Sequence, residues 1–302
     1  MKIATVEAIP DSIPYVHALH LASGAVHEAD HVLVRITTDE GVVGTADTPP
    51  RPCTYGETQK SIVAVVEDVF APQLVGLDVL DREKVQAVPA RTVHNQTAKG
   101  AVGFALWGVI GQFLGQPVTR LPGGFTDSMR VSHMPGFKPA AELSVDADRG
   151  WSANEAMEVL RRTADLGLQS LEEPDDAREV LGRRRLVEHS TIPIAADESA
   201  PNLGEAAKEI LTGGANLLAV KAARSGFTEA AKIVSTVDSV VFGAAPAHTS
   251  KRAGEPSNFL DMADDLLAEP VVIAGGRIRV PEVPGAGTAV DEDKLAHYRT
   301  DR

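Results

Sequence analysis

The chain has a single cysteine, Cys53, so no intramolecular disulfide and no cysteine-based metal site can form. It has no apolar run near the ~18 residues that a membrane helix needs. Its opening, MKIATVEAIPDSIPY, carries a lysine but no continuous apolar stretch and no small-residue cleavage site. No signal peptide is expected there, and a cytoplasmic protein is the default. Positive charge is scarce: 29 lysines and arginines stand against 42 aspartates and glutamates, a net charge of −13. That argues against nucleic acid or an anionic membrane as a partner. It leaves an anionic small substrate open, because a bound cation can reverse the local field. What is present is apolar bulk. With 302 residues, 43% of them hydrophobic, the chain can build one large domain or two of ordinary size.

The first 58 residues read as strands. KIATVEAI and DHVLVRITTDEGVVGTAD alternate and are β-branched, with TDEG as a turn signal. The link PDSIPYVHALHLASGAVHEA reads as a long loop holding His17, His20 and His27. Residues 59–119 change to a helical period. From about residue 129 strands and helices alternate, which implies βα units and a parallel sheet. SANEAMEVLRRTADLG is the clearest helix, with a capping box of Ser152 and Glu155 and a closing Gly167. SVVFGA reads as the last barrel-type strand, and EPVVIAGGRIRVPEVPG as a hairpin around Gly275-Gly276.

Charge falls at the ends of those strands in a regular way. Asp146, Glu172, Asp197 and Lys221 each close one strand, at spacings of 26, 25 and 24 residues. In a β/α barrel such ends converge on one face, where the chemistry is done. A lone acid at a strand end is usually solvated or caps the next helix; four groups in register are harder to explain that way. Three converging carboxylates repel, and a hard divalent cation, Mg²⁺ or Mn²⁺, relieves this with oxygen-only ligands. The lysine one strand on lies beside such a metal, placed to act as a base. Asp148, Glu173 and Glu198 neighbour these acids, and spacing alone leaves open which of each pair faces the metal.

The motifs VDADRGW, LEEP, ADES and VKAARSG resemble the enolase superfamily, specifically its muconate-lactonising enzyme/mandelate racemase family. HNQTAKGAVGFALWGVIGQFLGQPVTRLPGG is similar to the segment leading from that family's capping domain into its barrel. DDLLAEP and GGRIRVPEVPGAGTAVDEDKLAHY are similar to its C-terminal return. TPPRPCTYGET and VSHMPGF resemble the branch that includes cis-3-hydroxy-proline dehydratases. The resemblance implies an α/β protein: an N-terminal α+β capping domain (1–125), a modified, incomplete β/α (TIM-type) barrel (126–275) and a returning segment (276–302). It implies Asp146, Glu172 and Asp197 as Mg²⁺ ligands and Lys221 as the acid/base. The metal would hold a small carboxylate substrate and stabilise the enediolate formed when the α-proton leaves. Cycloisomerase, racemase or epimerase, and dehydratase chemistry all fit. His20, Arg51 and Tyr55, with His17, fall in loops that by resemblance cover the substrate; Lys138 and His248 are further candidates near strand ends.

The departures are as informative. The family's second barrel strand bears Lys-x-Lys, and no Lys-x-Lys occurs in this chain. About eight residues separate VSHM from LSVD, too few for a parallel crossover. Six barrel-type strands are countable where a closed barrel needs eight, and about 150 residues are available where about 250 are typical. Gly108 and Phe227 stand where the family usually has Asp and Gly. The expectation is therefore an open barrel and an impaired or one-base enzyme. The alternatives are a non-catalytic metal-binding descendant and a chain shortened by deletion. Exposed strand edges make a homo-oligomer the expected state.

Overall fold

Alternation in the first fifty residues builds one antiparallel sheet. In the computed structural model, which describes residues 1–21, 24–123, 127–130, 144–241 and 261–301, the sheet runs β1 (Ile3–Leu21), β2 (Gly24–Thr38) and β3 (Val43–Thr48) in that order. The stretch expected as a histidine-bearing loop is instead the outer half of a long hairpin. Pro10 pairs with Val32, Pro14 with Glu28 and Leu21 with Gly24, with an irregularity between Pro14 and Leu19. Pro10 and Pro14 are tolerated there because β1 is an edge strand of this sheet, where a missing donor can face away from β2.

Each face of this sheet buries a separate core. Val6, Ala8, Val32, Val34 and Ile36 meet α1 (Gln59–Ala64), α2 (Ala71–Leu74), α3 (Arg82–Ala87) and α4 (Gln96–Phe113). On the other face Ile9, Ile13 and Leu33 meet Met262, Leu266, Val290 and Leu295, so the C-terminal segment returns to this sheet. β4 (Ser128–Arg130) joins β9 (Ile273–Ala274) and β10 (Arg277–Arg279). Gly275 and Gly276, both at positive φ (+57° and +70°), make the two-residue turn between β9 and β10.

The second unit holds a parallel sheet, β5 (Ser144–Asp146), β6 (Ser170–Glu172), β7 (Ile194–Ala196) and β8 (Leu217–Leu218), in sequence order. α5 (Ala153–Arg162), α6 (Val180–His189) and α7 (Leu203–Thr212) connect the strands, and α8 (Ala222–Val241) follows. The expected capping box of Ser152 and Glu155 is present. Ala156 and Leu160 of α5 pack with Leu171, Leu186 and Ile194. Two compact units result: Met1–His133 with Ser250–Arg302, and Met134–Thr249.

One reading of the barrel needs correction. SVVFGA was expected as a strand, yet α8 continues through Val241. A short β-branched run does not distinguish strand from helix by period, and a helix satisfies its backbone without a neighbouring strand. Of the expected RVSHM strand only Arg130 lies within the described residues, and there β4 pairs antiparallel with β10. Among the described residues the parallel sheet has four strands, and α9 (Glu292–Tyr298) packs on the sheet of the first unit.

Candidate active site at the strand ends

The register of the parallel sheet brings the predicted acids together. Asp146 pairs with Glu172, and Glu172 with Ala195, two residues before Asp197. Strand alternation therefore assigns Asp146, Glu172 and Asp197 to one face. Ala195 pairs with Leu217, and the Ala219 N–H donating to the Ala196 carbonyl (2.8 Å) carries the pairing toward Lys221. Lys221 sits just before a helical turn, and the Arg224 and Ser225 N–H groups both donate to its carbonyl.

Asp197 is fully buried and is held by two cations. The Lys221 ammonium donates to its Oδ2, and Arg224 Nη2 donates to its Oδ1 (3.1 Å) and its carbonyl (2.9 Å). Lys221 is about one-third exposed, so it faces both the buried acid and solvent. Asp146 accepts from the Asp148 N–H (2.9 Å). Burial pushes the Asp146 carboxyl above its ordinary value and nearby Asp197 adds to this, while the Asp148 N–H and Lys221 oppose it. Asp146, Glu172 and Asp197 do not lie within 4.8 Å mutual ligand reach as they stand. Their chemistry nonetheless fits a hard cation: three carboxylates, all oxygen donors, on one face of adjacent strand ends.

Packing gives the members of each acid pair different surroundings. Glu173 is fully buried and points into a structural network, accepting from Arg183 (3.0 Å), the Asp197 N–H (2.5 Å) and Ser199 Oγ (3.0 Å). Its backbone has φ +41°, a strained value for a residue with a Cβ, which those bonds hold in place. Asp148 is turned out of the strand at φ +46°. Glu198 is the residue that sequence reasoning undervalued. Burial, and then Asp197, raise its carboxyl to about 7, while Lys221 opposes. Arg224 was missed outright; the only signal was its position three residues after the lysine.

The other candidates lie elsewhere. Arg51 and Tyr55 share a turn in the first unit, where the Tyr55 N–H donates to the Arg51 carbonyl (2.7 Å). His17 and His20 belong to β1, not to a loop. Lys138 and His248 lie outside the described residues. Gly108 packs inside α4 against Gly44 of β3, 3.6 Å from the position its Cβ would take.

Residues 3–123 match the mandelate racemase/muconate lactonizing enzyme N-terminal domain, and residues 126–294 match the enolase C-terminal domain-like family. The L-Ala-D/L-Glu epimerase of Bacillus subtilis is 24% identical over 353 positions, covering 95% of this chain and 96% of that protein. Muconate cycloisomerase 1-2 of Acinetobacter lwoffii is 26% identical over 370 positions, covering 100% and 96%. Both alignments run longer than 302 residues, so these relatives carry internal sequence with no counterpart here. Among solved structures, the muconate lactonizing enzyme from Mucobacterium smegmatis complexed with muconolactone is 42% identical, with a TM-score of 0.93 and full coverage of both chains.

Proposed function

The chain belongs to the mandelate racemase/muconate lactonizing enzyme family of enzymes, and from that premise we propose that it is a Mg²⁺-dependent isomerase or lyase that moves the α-proton of a small carboxylate through an enediolate, with Lys221 as its one base. The observation carrying this reading is the Lys221 ammonium paired on Asp197 at the end of a sheet whose neighbouring strands end in Glu172 and Asp146. Asp146, Glu172 and Asp197 would hold the cation, Mg²⁺ or Mn²⁺. Bound there, it supplies positive charge for the substrate carboxylate as negative charge builds on it. Lys221 holds or delivers the proton at Nζ. Arg224 fixes Asp197 from the other side, so the acid stays in place when Lys221 releases it.

One base supports cycloisomerisation or elimination, and both muconate cycloisomerase relatives and the muconolactone-bound neighbour favour the former. Inversion of configuration needs a second group on the opposite face, and the family's Lys-x-Lys is absent. Losing one acid/base group typically slows a reaction by ~10²–10⁴, so turnover is slow. The barrel domain spans 126–275 under this reading. Its partners are a small carboxylate and, through open strand edges, further copies of the chain. A second reading, a non-catalytic metal-binding descendant, draws on the same missing lysines.

One experiment separates them. Incubation of muconolactone and of both enantiomers of N-acyl amino acids with Mg²⁺ in D₂O should give deuterium entry without inversion, abolished by Lys221→Ala. Mg²⁺ binding with no exchange on any substrate favours the descendant. Equal Mg²⁺ binding by wild type and Glu172→Ala in calorimetry sinks the metal assignment, and efficient inversion sinks the one-base account.

A further inference from the structure

The sheet of the first unit holds a second cluster of ligand-type side chains. Asp11 on β1 lies directly opposite His31 on β2. Leu33 lies opposite Asp47, which sets Asp47 diagonal to His31 on the same face. The side-chain donor atoms of these three residues lie within 4.8 Å of one another, and His31 Nδ1 is 2.5 Å from Asp47 Oδ2. No other group of His, Cys, Asp and Glu among the described residues meets that criterion.

Asp11 makes this more than a surface ion pair. It is fully buried, and among the described residues neither carboxylate oxygen has a hydrogen-bond partner. A buried carboxylate is tolerated when it is paired, metal-bound or protonated. Gln59 Nε2 donates to the backbone carbonyls of Asp11 (2.7 Å) and His31 (2.8 Å), fixing the cross-strand pair. Asp47 is exposed and His31 partly so, which leaves the cluster open to solvent on one side.

We propose that Asp11, His31 and Asp47 form a second metal site, distinct from the strand-end site, that takes a borderline divalent cation of the Zn²⁺ class. One imidazole nitrogen and two carboxylate oxygens suit zinc or a neighbouring transition metal better than Mg²⁺, which favours oxygen alone. Three protein ligands leave a coordination position for water. A metal there would satisfy the buried, unpartnered Asp11 oxygens.

The test is calorimetric titration of untagged, chelator-treated full-length protein with Zn²⁺ in excess Mg²⁺. Wild type and Glu172→Gln should each take up one Zn²⁺, and Asp11→Asn and His31→Gln should lose it while keeping the wild-type circular dichroism spectrum. Should either variant fail to fold, Asp47→Asn at the exposed rim serves instead. With Co²⁺ as the probe, wild type should show visible absorption bands that His31→Gln abolishes. Absence of Zn²⁺ uptake by wild type, uptake indifferent to the substitutions in this cluster, or uptake lost only with Glu172→Gln would each overturn the assignment.

Discussion

Arg183 shows how one side chain holds a site it does not touch. It is 1% exposed, and its guanidinium donates to Glu173, Asp175, Glu209 and Ser199. Glu173 in turn accepts from the backbone of Asp197, so Arg183 positions a proposed ligand through one intermediary. Removing one partner from a buried ion network leaves uncompensated charge, at a cost of about 3–5 kcal/mol. Arg183→Met should lower the urea midpoint accordingly, and an unchanged midpoint would mean the carboxylates rearrange freely. One cation among three buried acids also leaves excess negative charge. Burial raises Asp175 to about 6, with Arg183 opposing and Glu173 adding to the rise. Because the folded value lies above the unfolded one, its contribution is fully present below about pH 4 and is lost as pH rises through about 6. Asp175→Asn cannot ionise. The stability of wild type relative to this variant should therefore fall by up to about 3 kcal/mol between pH 4 and 7. Matched chemical denaturation curves across that range check the sign.

At the scale of elements, close approach does the positioning. α4 lies so near β3 that a Cβ on Gly44 would stand 2.1 Å from the Ala105 carbonyl oxygen and 2.8 Å from the Val109 backbone nitrogen. Both neighbours are backbone, so neither can rotate away. Gly44→Ala should destabilise the protein by about 1–3 kcal/mol or more, read as a fall in the thermal midpoint. Gly108 on the facing helix also stands against Gly44, 3.6 Å from the position its own Cβ would take. In the parallel sheet the elements are shorter, two or three residues per strand, and helices α5 to α7 back them with Ala156, Leu160, Leu186 and Ala206. The strand ends are thus held by what packs behind them.

For the whole molecule, binding and stability are linked. A cation that binds only the folded strand-end site stabilises it by ~2.7 kcal/mol at a concentration 100 times its dissociation constant. Mg²⁺ should raise the unfolding temperature of wild type and leave that of Glu172→Gln unchanged; an equal rise in both would place the cation elsewhere. The parallel sheet among the described residues ends at β5 and β8 without closing. The long alignments with relatives agree with a chain that has lost internal segments, yet both family domains are matched.

Much of this was fixed locally and could be read from the chain. Alternation determined β2 and β3, a capping box determined the start of α5, and the positions of Asp146, Glu172, Asp197 and Lys221 followed from a βα repeat whose strands all point one way. The missing Lys-x-Lys was likewise plain in the sequence. Other features depended on partners distant in the chain. Prolines 10 and 14 read as loop until β1 proved to be an edge strand, and a β-branched run at 239–241 became helix. Glu173 and Glu172 are indistinguishable in LEEP; only the buried guanidinium of Arg183 turns one into structure and leaves the other at the strand end. The Asp11–His31–Asp47 cluster unites residues from three strands, and no spacing rule announces it. Period and capping act within a few residues, whereas desolvation, edge position and charge pairing are set by neighbours that only folding supplies.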